Sequence, residues 1–431
     1  MKLYITETGG TMYQSDVDGA LVGRGADALV KVDESRTFQE MLGFGVSFTD
    51  SSCYVVNQLE EEKRKALMSE LFSEEGLGLN VCRTNVGASD YARTCYSYND
   101  TLDDFEMKNF SIAHDEEYMI PVILEAKKLN PEMFLFSSPW SPPGWMKTGG
   151  SMYGGWLRAD YVEAFARYYL NYLLAYKKAG ITIDALTPQN EVETDQVGKM
   201  PASYLHPEYE MAFVRHMAPM LKEHGLPTRM WILDHNYDLW KRADWMLEDS
   251  EFKAMTDGVA FHGYGGSANM MEQLKELHPE VHLYWTEGGP DVNNHYYTDL
   301  CKWGKIFAEV ANNWCRSITA WNLALDEAGR PNIGPFPCGG IVTVDSKTAE
   351  ISYSAQYWAM GHFSKFVKRG AKRIFTSSSA EGLHQAAFVN PDGGKVIVLT
   401  NEGQLRNIAI YVNGEIITIR MNADSMATLV L

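Results

Sequence analysis

Two glutamates in this chain have the side chains and the settings for acid–base and nucleophilic work. Glu191 closes the stretch Ile183-Asp184-Ala185-Leu186-Thr187-Pro188-Gln189-Asn190, and Glu287 closes His282-Leu283-Tyr284-Trp285-Thr286 ahead of Gly288-Gly289. An apolar run that ends in a carboxylate and then turns to loop residues has the form of a barrel strand delivering a side chain to the face where chemistry occurs. Two carboxyl groups brought together suit cleavage of a glycosidic bond. One protonates the leaving oxygen while the other works on the opposite side of the anomeric carbon. At about 5 Å the second is a nucleophile and configuration is retained; at about 6.5–9.5 Å a water fits and configuration inverts. The sequence leaves both gaps open. In a chain with 56 acidic residues, two ordinary loop carboxylates are the competing reading.

Eight short apolar runs, alternating with helical patterns, are placed to position these groups. They cover 41–48, 79–86, 133–138, 183–187, 228–233, 258–262, 282–286 and 317–323. Such alternation is the signature of βα units on a parallel sheet. Segments 161–178, 209–224, 297–314 and 353–367 carry apolar residues at helical spacing. The last is followed by Lys368-Arg369-Gly370, read as cations and a glycine stop at a helix end. The expectation is an α/β fold, a (β/α)8 barrel over 38–370. Residues 371–431 instead show five short runs separated by turn signals such as Asn390-Pro391-Asp392-Gly393-Gly394 and Asn413-Gly414. These predict an antiparallel β-sandwich. Residues 1–37, short strands with Gly-rich turns, are too few to fold alone and are expected to join it.

Composition narrows the partners. A net charge of -18 argues against nucleic acid and anionic membranes, and suits a neutral substrate. No run approaches the ~18 apolar residues of a membrane span, and the N-terminus lacks the apolar stretch of a secretory signal. Six cysteines without a CxxC pair read as free, mostly buried thiols. A cytoplasmic location is the expectation.

Other strand ends supply neighbours for the glutamates. Run two ends near Arg83. Run three leads into Ser138-Pro139-Trp140-Ser141-Pro142-Pro143-Gly144-Trp145, run six ends in His262-Gly263-Tyr264, and run eight contains Trp321-Asn322. Each has a plain alternative: an arginine satisfying a core carboxylate, a hydrogen-bonded core histidine, tryptophans that only pack. Their shared place at one end of the inferred barrel favours a site.

These segments carry a resemblance. Asn190-Glu191, Thr286-Glu287-Gly288 and the Trp140–Trp145 turn, with Gly43-Phe44-Gly45, Trp321-Asn322-Leu323 and Gly361-His362-Phe363, resemble glycoside hydrolase family 30, the glucosylceramidase-like retaining β-glycosidases. The resemblance spans about 40 to 370. It implies a barrel with a sandwich built from both chain ends, Glu191 as acid/base and Glu287 as nucleophile. Asn190 would bond the sugar 2-hydroxyl, Arg83 and Tyr264 would hold Glu287 charged, and His262 would stand beside the acid/base. Asp90, Trp140 and Trp321 would line the subsite of the terminal sugar, with Asp90 favouring exo action. No metal or cofactor is implied.

Two loops depart from the family. The loop after Glu191 lacks the proline that more often follows the acid/base, and the loop 326–338 is particular to this chain. Both are placed to build the leaving-group side. The expected activity is removal of terminal β-linked glucose from a β-glucoside, a glucosylceramide-like substrate or a short oligosaccharide. Alternatives are a β-xylosidase, a β-1,6-glucanase or, from another class, a non-catalytic sugar-binding protein on the same fold.

Overall fold

The computed structural model describes residues 1–15 and 25–431. All eight apolar runs form strands, and they close into a parallel barrel in chain order: Gly43–Phe48, Val81–Asn85, Phe134–Ser138, Ala185–Leu186, Arg229–Asn236, Gly258–His262, His282–Glu287 and Cys315–Ala320. Ser317 pairs with Gly43 to complete the ring. The first three strands are buried along their whole length. Parallel strands covered on both faces read as continuous apolar runs, which is why they are visible in sequence.

Inside the barrel, Val81, Phe136, Trp231, Ala260 and Tyr284 form one apolar cluster, with the Trp231 and Tyr284 rings stacked at 3.8 Å. Arg83 follows Val81 by two positions and therefore points to the same side of its strand. There the barrel core changes from apolar to ionic.

The helices Val162–Lys178, Pro207–Glu223, Leu300–Asn312 and Ala355–Ser364 occupy the four expected segments. Arg369 has a different job from the helix-end cation expected of it. The last helix stops at Ser364, and the Arg369 guanidinium instead donates to the carbonyls of Leu42, Asn80 and Glu132 at the N-terminal end of the barrel.

Both chain ends enter one nine-stranded sheet. Its order is Glu415–Met421, Arg406–Val412, Ala28–Glu40, Lys372–Ser378, Leu383–Val389, Lys395–Asn401, Ser425–Val430, Lys2–Glu7 and Tyr13–Ser15. In Lys395–Asn401, Val396 and Val398 join the core shared with the barrel, while Ile397 and Leu399 join a separate core within the sheet. This period-two division seats the sheet against the barrel helices. His362 ties the parts together, its two ring nitrogens lying 2.8 Å from Thr428 Oγ1 and 2.9 Å from Thr6 Oγ1. Burial pushes this imidazole down to about 3, so it is neutral.

Ala28–Glu40 is a single 13-residue strand where the sequence predicts several short ones. Its middle, Glu34-Ser35-Arg36-Thr37, is exposed and polar, which imitates a break in the pattern. The expected turns within 16–24 lie outside the described residues. Among the described residues, no helix is long and apolar enough to cross a membrane. All six cysteines are free thiols; Cys53, Cys82 and Cys315 are buried and Cys95 is exposed.

Candidate active site

A cavity of about 390 Å³ opens at the C-terminal mouth of the barrel. Asp90, Trp140, Asn190, Glu191, Tyr264, Glu287 and Trp321 line it together. Arg83 and His262 lie beneath its surface with no exposed side chain. All nine side chains singled out in the sequence therefore meet at one place, seven as walls and two as a buried base.

That base centres on Asp234. One of its oxygens accepts from Arg83 Nη2 at 2.8 Å, Ser138 Oγ at 2.7 Å and Thr187 Oγ1 at 2.7 Å. The other accepts from Thr286 Oγ1 at 2.7 Å and faces His262 Nε2 at 3.0 Å. Although burial opposes ionisation, Arg83 and His262 hold this carboxyl far below the usual carboxylate range. Arg83 also donates to Glu287 Oε2 at 2.5 Å, Asn190 Oδ1 at 2.6 Å and, from Nε, Ser138 Oγ at 3.3 Å. Asp234 thus fixes the arginine that fixes both a glutamate and its asparagine neighbour.

The two glutamates are held unequally. Glu287 receives Arg83 and, on Oε1, the Tyr264 hydroxyl at 3.1 Å. Glu191 receives the Gln196 amide on Oε2 at 2.7 Å, and its Oε1 lies 3.4 Å from His262 Nδ1. One oxygen from each carboxyl and a ring nitrogen of His262 lie within 4.8 Å of one another. Burial pushes Glu287 up, opposed by the charges of His262 and Arg83, and the Glu191 charge adds to the rise. At Glu191 burial acts the same way, but the hydrogen bond and charge of His262 outweigh it and hold the carboxyl below its usual range. His262 itself rises to about 9: burial opposes its charge, and the surrounding carboxylates prevail. Two anions this close in a buried site titrate as a pair.

Glu191, His262 and Glu287 also present three atoms of the kind that ligate a cation. Their chemistry fits a charged network better. Glu287 already faces a guanidinium, and a histidine that titrates at about 9 is protonated at neutral pH.

Part of the cavity wall is aromatic, with one buried acid. Trp140 and Trp321 stack on each other at 4.8 Å, and the Arg83 guanidinium sits 4.6 Å from the Trp140 ring centre. Asp90 is 4% exposed, and its Oδ1 has no hydrogen-bond partner among the described residues. Burial pushes its carboxyl well above the usual range, with the charges of Glu287 and Glu191 adding to the effect. An orphaned buried polar atom beside a cavity is free to bond a ligand. The loop 326–338, expected on the leaving-group side, instead packs against Asp90, because its backbone bonds there: Ile333 N donates to Asp90 O at 2.8 Å, and Tyr91 OH donates to Phe336 O at 2.8 Å. A Cβ on Gly334 would lie 2.5 Å from Asp90 Cβ, so only glycine allows this approach.

Sequence reasoning misses Asp234, His235 and Gln196. Asp234 carries the same signal as the two glutamates, since it ends the apolar run Met230-Trp231-Ile232-Leu233. That strand is expected to stop at Leu233. It continues to Asn236 through a register shift, with positive φ at Leu233 (74°) and Asp234 (48°). The irregularity turns Asp234 inward. His235 lines the cavity, and burial pushes it down to about 4, so it is neutral. Gln196 reaches Glu191 from a loop in which Gln196 and Val197 have φ of 51° and 53°. Left-handed non-glycine residues cost about 1–2 kcal/mol each, and no sequence periodicity announces them.

Comparison with known proteins identifies the two domains of the chain. The glycosyl hydrolase family 30 TIM-barrel domain matches residues 41–367, and the family 30 beta sandwich domain matches 370–429. The chain belongs to glycosyl hydrolase family 30. This family 30 protein is a glycosidase, as the family and its relatives support. It is 31% identical to putative glucosylceramidase 1 of Caenorhabditis elegans over 87% of this chain and 76% of that one. It is also 31% identical to the endo-1,6-beta-D-glucanase of Neurospora crassa, over 84% and 79% of the two chains. A solved endo-β1,6-glucanase superposes with a TM-score of 0.90 at 28% identity, covering 99% of this chain and 98% of that one.

Proposed function

We propose that this family 30 glycosidase is a retaining, exo-acting enzyme that removes terminal β-linked glucose by double displacement. The observation that carries the reading is the gap between the two carboxyls. Carboxyl oxygens within 4.8 Å of one another lie nearer the ~5 Å separation of retaining enzymes than the ~6.5–9.5 Å of inverting ones.

In the first step Glu287 attacks the anomeric carbon as the bond to the leaving oxygen breaks, and Glu191 gives that oxygen its proton. In the second, Glu191 takes a proton from water, whose oxygen attacks the anomeric carbon and frees Glu287. Double displacement requires the anion on Glu287 and the proton on Glu191, the reverse of the bias that burial at Glu287 and His262 at Glu191 impose on the free site. The direct bonds from Arg83 and Tyr264 to Glu287 are the interactions on which that reversal rests when a substrate is bound. Because Asn190 spends its oxygen on Arg83, its amide N–H groups are available to the sugar 2-hydroxyl. Asp90, roofed by the loop 326–338, would take hydroxyls of a terminal sugar and limit extension beyond it.

A second reading, endo-1,6-glucanase action, is favoured by the relatives carrying that name. A panel of nitrophenyl β-glycosides together with β-1,6-glucan separates the two. Exo action yields free glucose from the start, and the β-glucoside turns over fastest. Oligosaccharides as first products would favour the endo reading, and no turnover of any β-glycoside would remove both.

A further inference from the structure

We propose that Gln196 is a positioning residue for Glu191 and a specificity residue for the leaving group, which its free carbonyl oxygen selects as a hydroxyl-bearing sugar. This rests on the β-glycosidase reading and extends it to the leaving group. The amide Nε2 donates to Glu191 Oε2 at 2.7 Å, while the amide oxygen accepts no hydrogen bond from the described residues. Gln196 lines the same cavity as Glu191 and Glu287, beside Thr194 and Met200. One end of the amide is therefore committed to the acid/base, and the other is left without a partner among the described residues in a side chain that lines the cavity.

The loop is built to hold that placement. Gln196 N donates to Thr194 Oγ1 at 3.1 Å, and Val197 N donates to Asp195 Oδ1 at 3.0 Å. Asp195 Oδ2 receives Gly155 N at 3.3 Å, anchoring the loop to the neighbouring one. The two consecutive left-handed residues are not stabilised by burial of Val197, which is 84% exposed. What their conformation accomplishes is delivery of the Gln196 amide. An amide donating to one oxygen fixes the plane of the carboxyl, which proton transfer to a poor leaving group requires. A plain alkyl chain offers nothing to the amide oxygen, whereas a sugar offers hydroxyls.

The test is Gln196→Ala measured on three β-glucosides: dinitrophenyl, octyl and a glucosyl-glucose disaccharide. The dinitrophenyl leaving group needs no proton, the octyl needs one, and the disaccharide needs one and brings hydroxyls. The expected kcat/KM is nearly unchanged on the first, lower by about ten-fold on the second and by about 100-fold on the third. The alkaline limb of the pH profile also moves upward, because the anion of Glu191 loses a donor. Equal losses on all three, or a disaccharide loss no larger than the octyl loss, would overturn the proposal. A wild type inert on every one of them would instead remove the glycosidase reading beneath it.

Discussion

Arg83 and Asp234 stand 2.8 Å apart with neither side chain exposed, and Glu287 and His262 each bond to one member of this pair. Removing one partner of a buried ion pair leaves the other charge uncompensated and costs about 3–5 kcal/mol. Asp234→Asn keeps the shape but leaves Arg83 and His262 without their shared anion. It is expected to lower unfolding stability by about 3 kcal/mol or more and to reduce kcat/KM by at least about 100-fold. Urea unfolding beside steady-state kinetics checks both; wild-type stability in the variant would show that the pair is not the base of the site.

The two glutamates are expected to fail differently. Glu287→Gln stops glycosylation whatever the leaving group, because the bond to the anomeric carbon cannot form. Glu191→Ala spares activated aryl glucosides and loses alkyl glucosides by about 100-fold or more, since only the latter need a proton. Matching losses on both substrate types in Glu191→Ala would deny Glu191 the part of acid/base.

His262 makes stability depend on pH. Its pKa rises from 6.5 to about 9 on folding, a difference worth roughly 3 kcal/mol. That contribution is complete below about pH 6.5 and is lost as pH climbs through about 9. Melting temperatures followed across this range should fall more steeply for the wild type than for His262→Gln. Because His262 pulls down both glutamates, the variant should also carry both limbs of its kcat/KM profile to higher pH. Parallel melting curves and an unmoved profile would remove the charge assigned to His262.

Gly334 tests the roof over Asp90. With a Cβ only 2.5 Å from Asp90 Cβ, Gly334→Ala must displace the acid or the loop. KM for a β-glucoside should rise by about ten-fold with little change in stability, because the loop is only partly buried. An unchanged KM would mean that Asp90 does not hold the sugar.

The fold and the two glutamates are legible in the sequence because their signals are local. A parallel barrel strand buried on both faces is an apolar run, and a carboxylate at its end stands out against it. What escapes depends on backbone that only the assembled structure fixes. Asp234 sits in a strand irregularity that continues the strand beyond the apolar residues, and Gln196 owes its contact to two left-handed residues in a loop. Arg369 reads as a helix-end cation because sequence distance hides the carbonyls of Leu42, Asn80 and Glu132. The sandwich strand Ala28–Glu40 is broken up in the sequence pattern by its own exposed middle.

Trapping of the covalent intermediate identifies the nucleophile and the stereochemical course together. A 2-deoxy-2-fluoro-β-glucoside with a good leaving group removes the 2-hydroxyl that Asn190 is placed to bond and slows the second step, so the glycosyl-enzyme accumulates. Mass spectrometry of the digested protein should find one fluoroglucosyl group per chain, on the peptide containing Glu287. A label on Glu191, or no label in a protein that turns over β-glucosides to the inverted anomer, would contradict double displacement through Glu287.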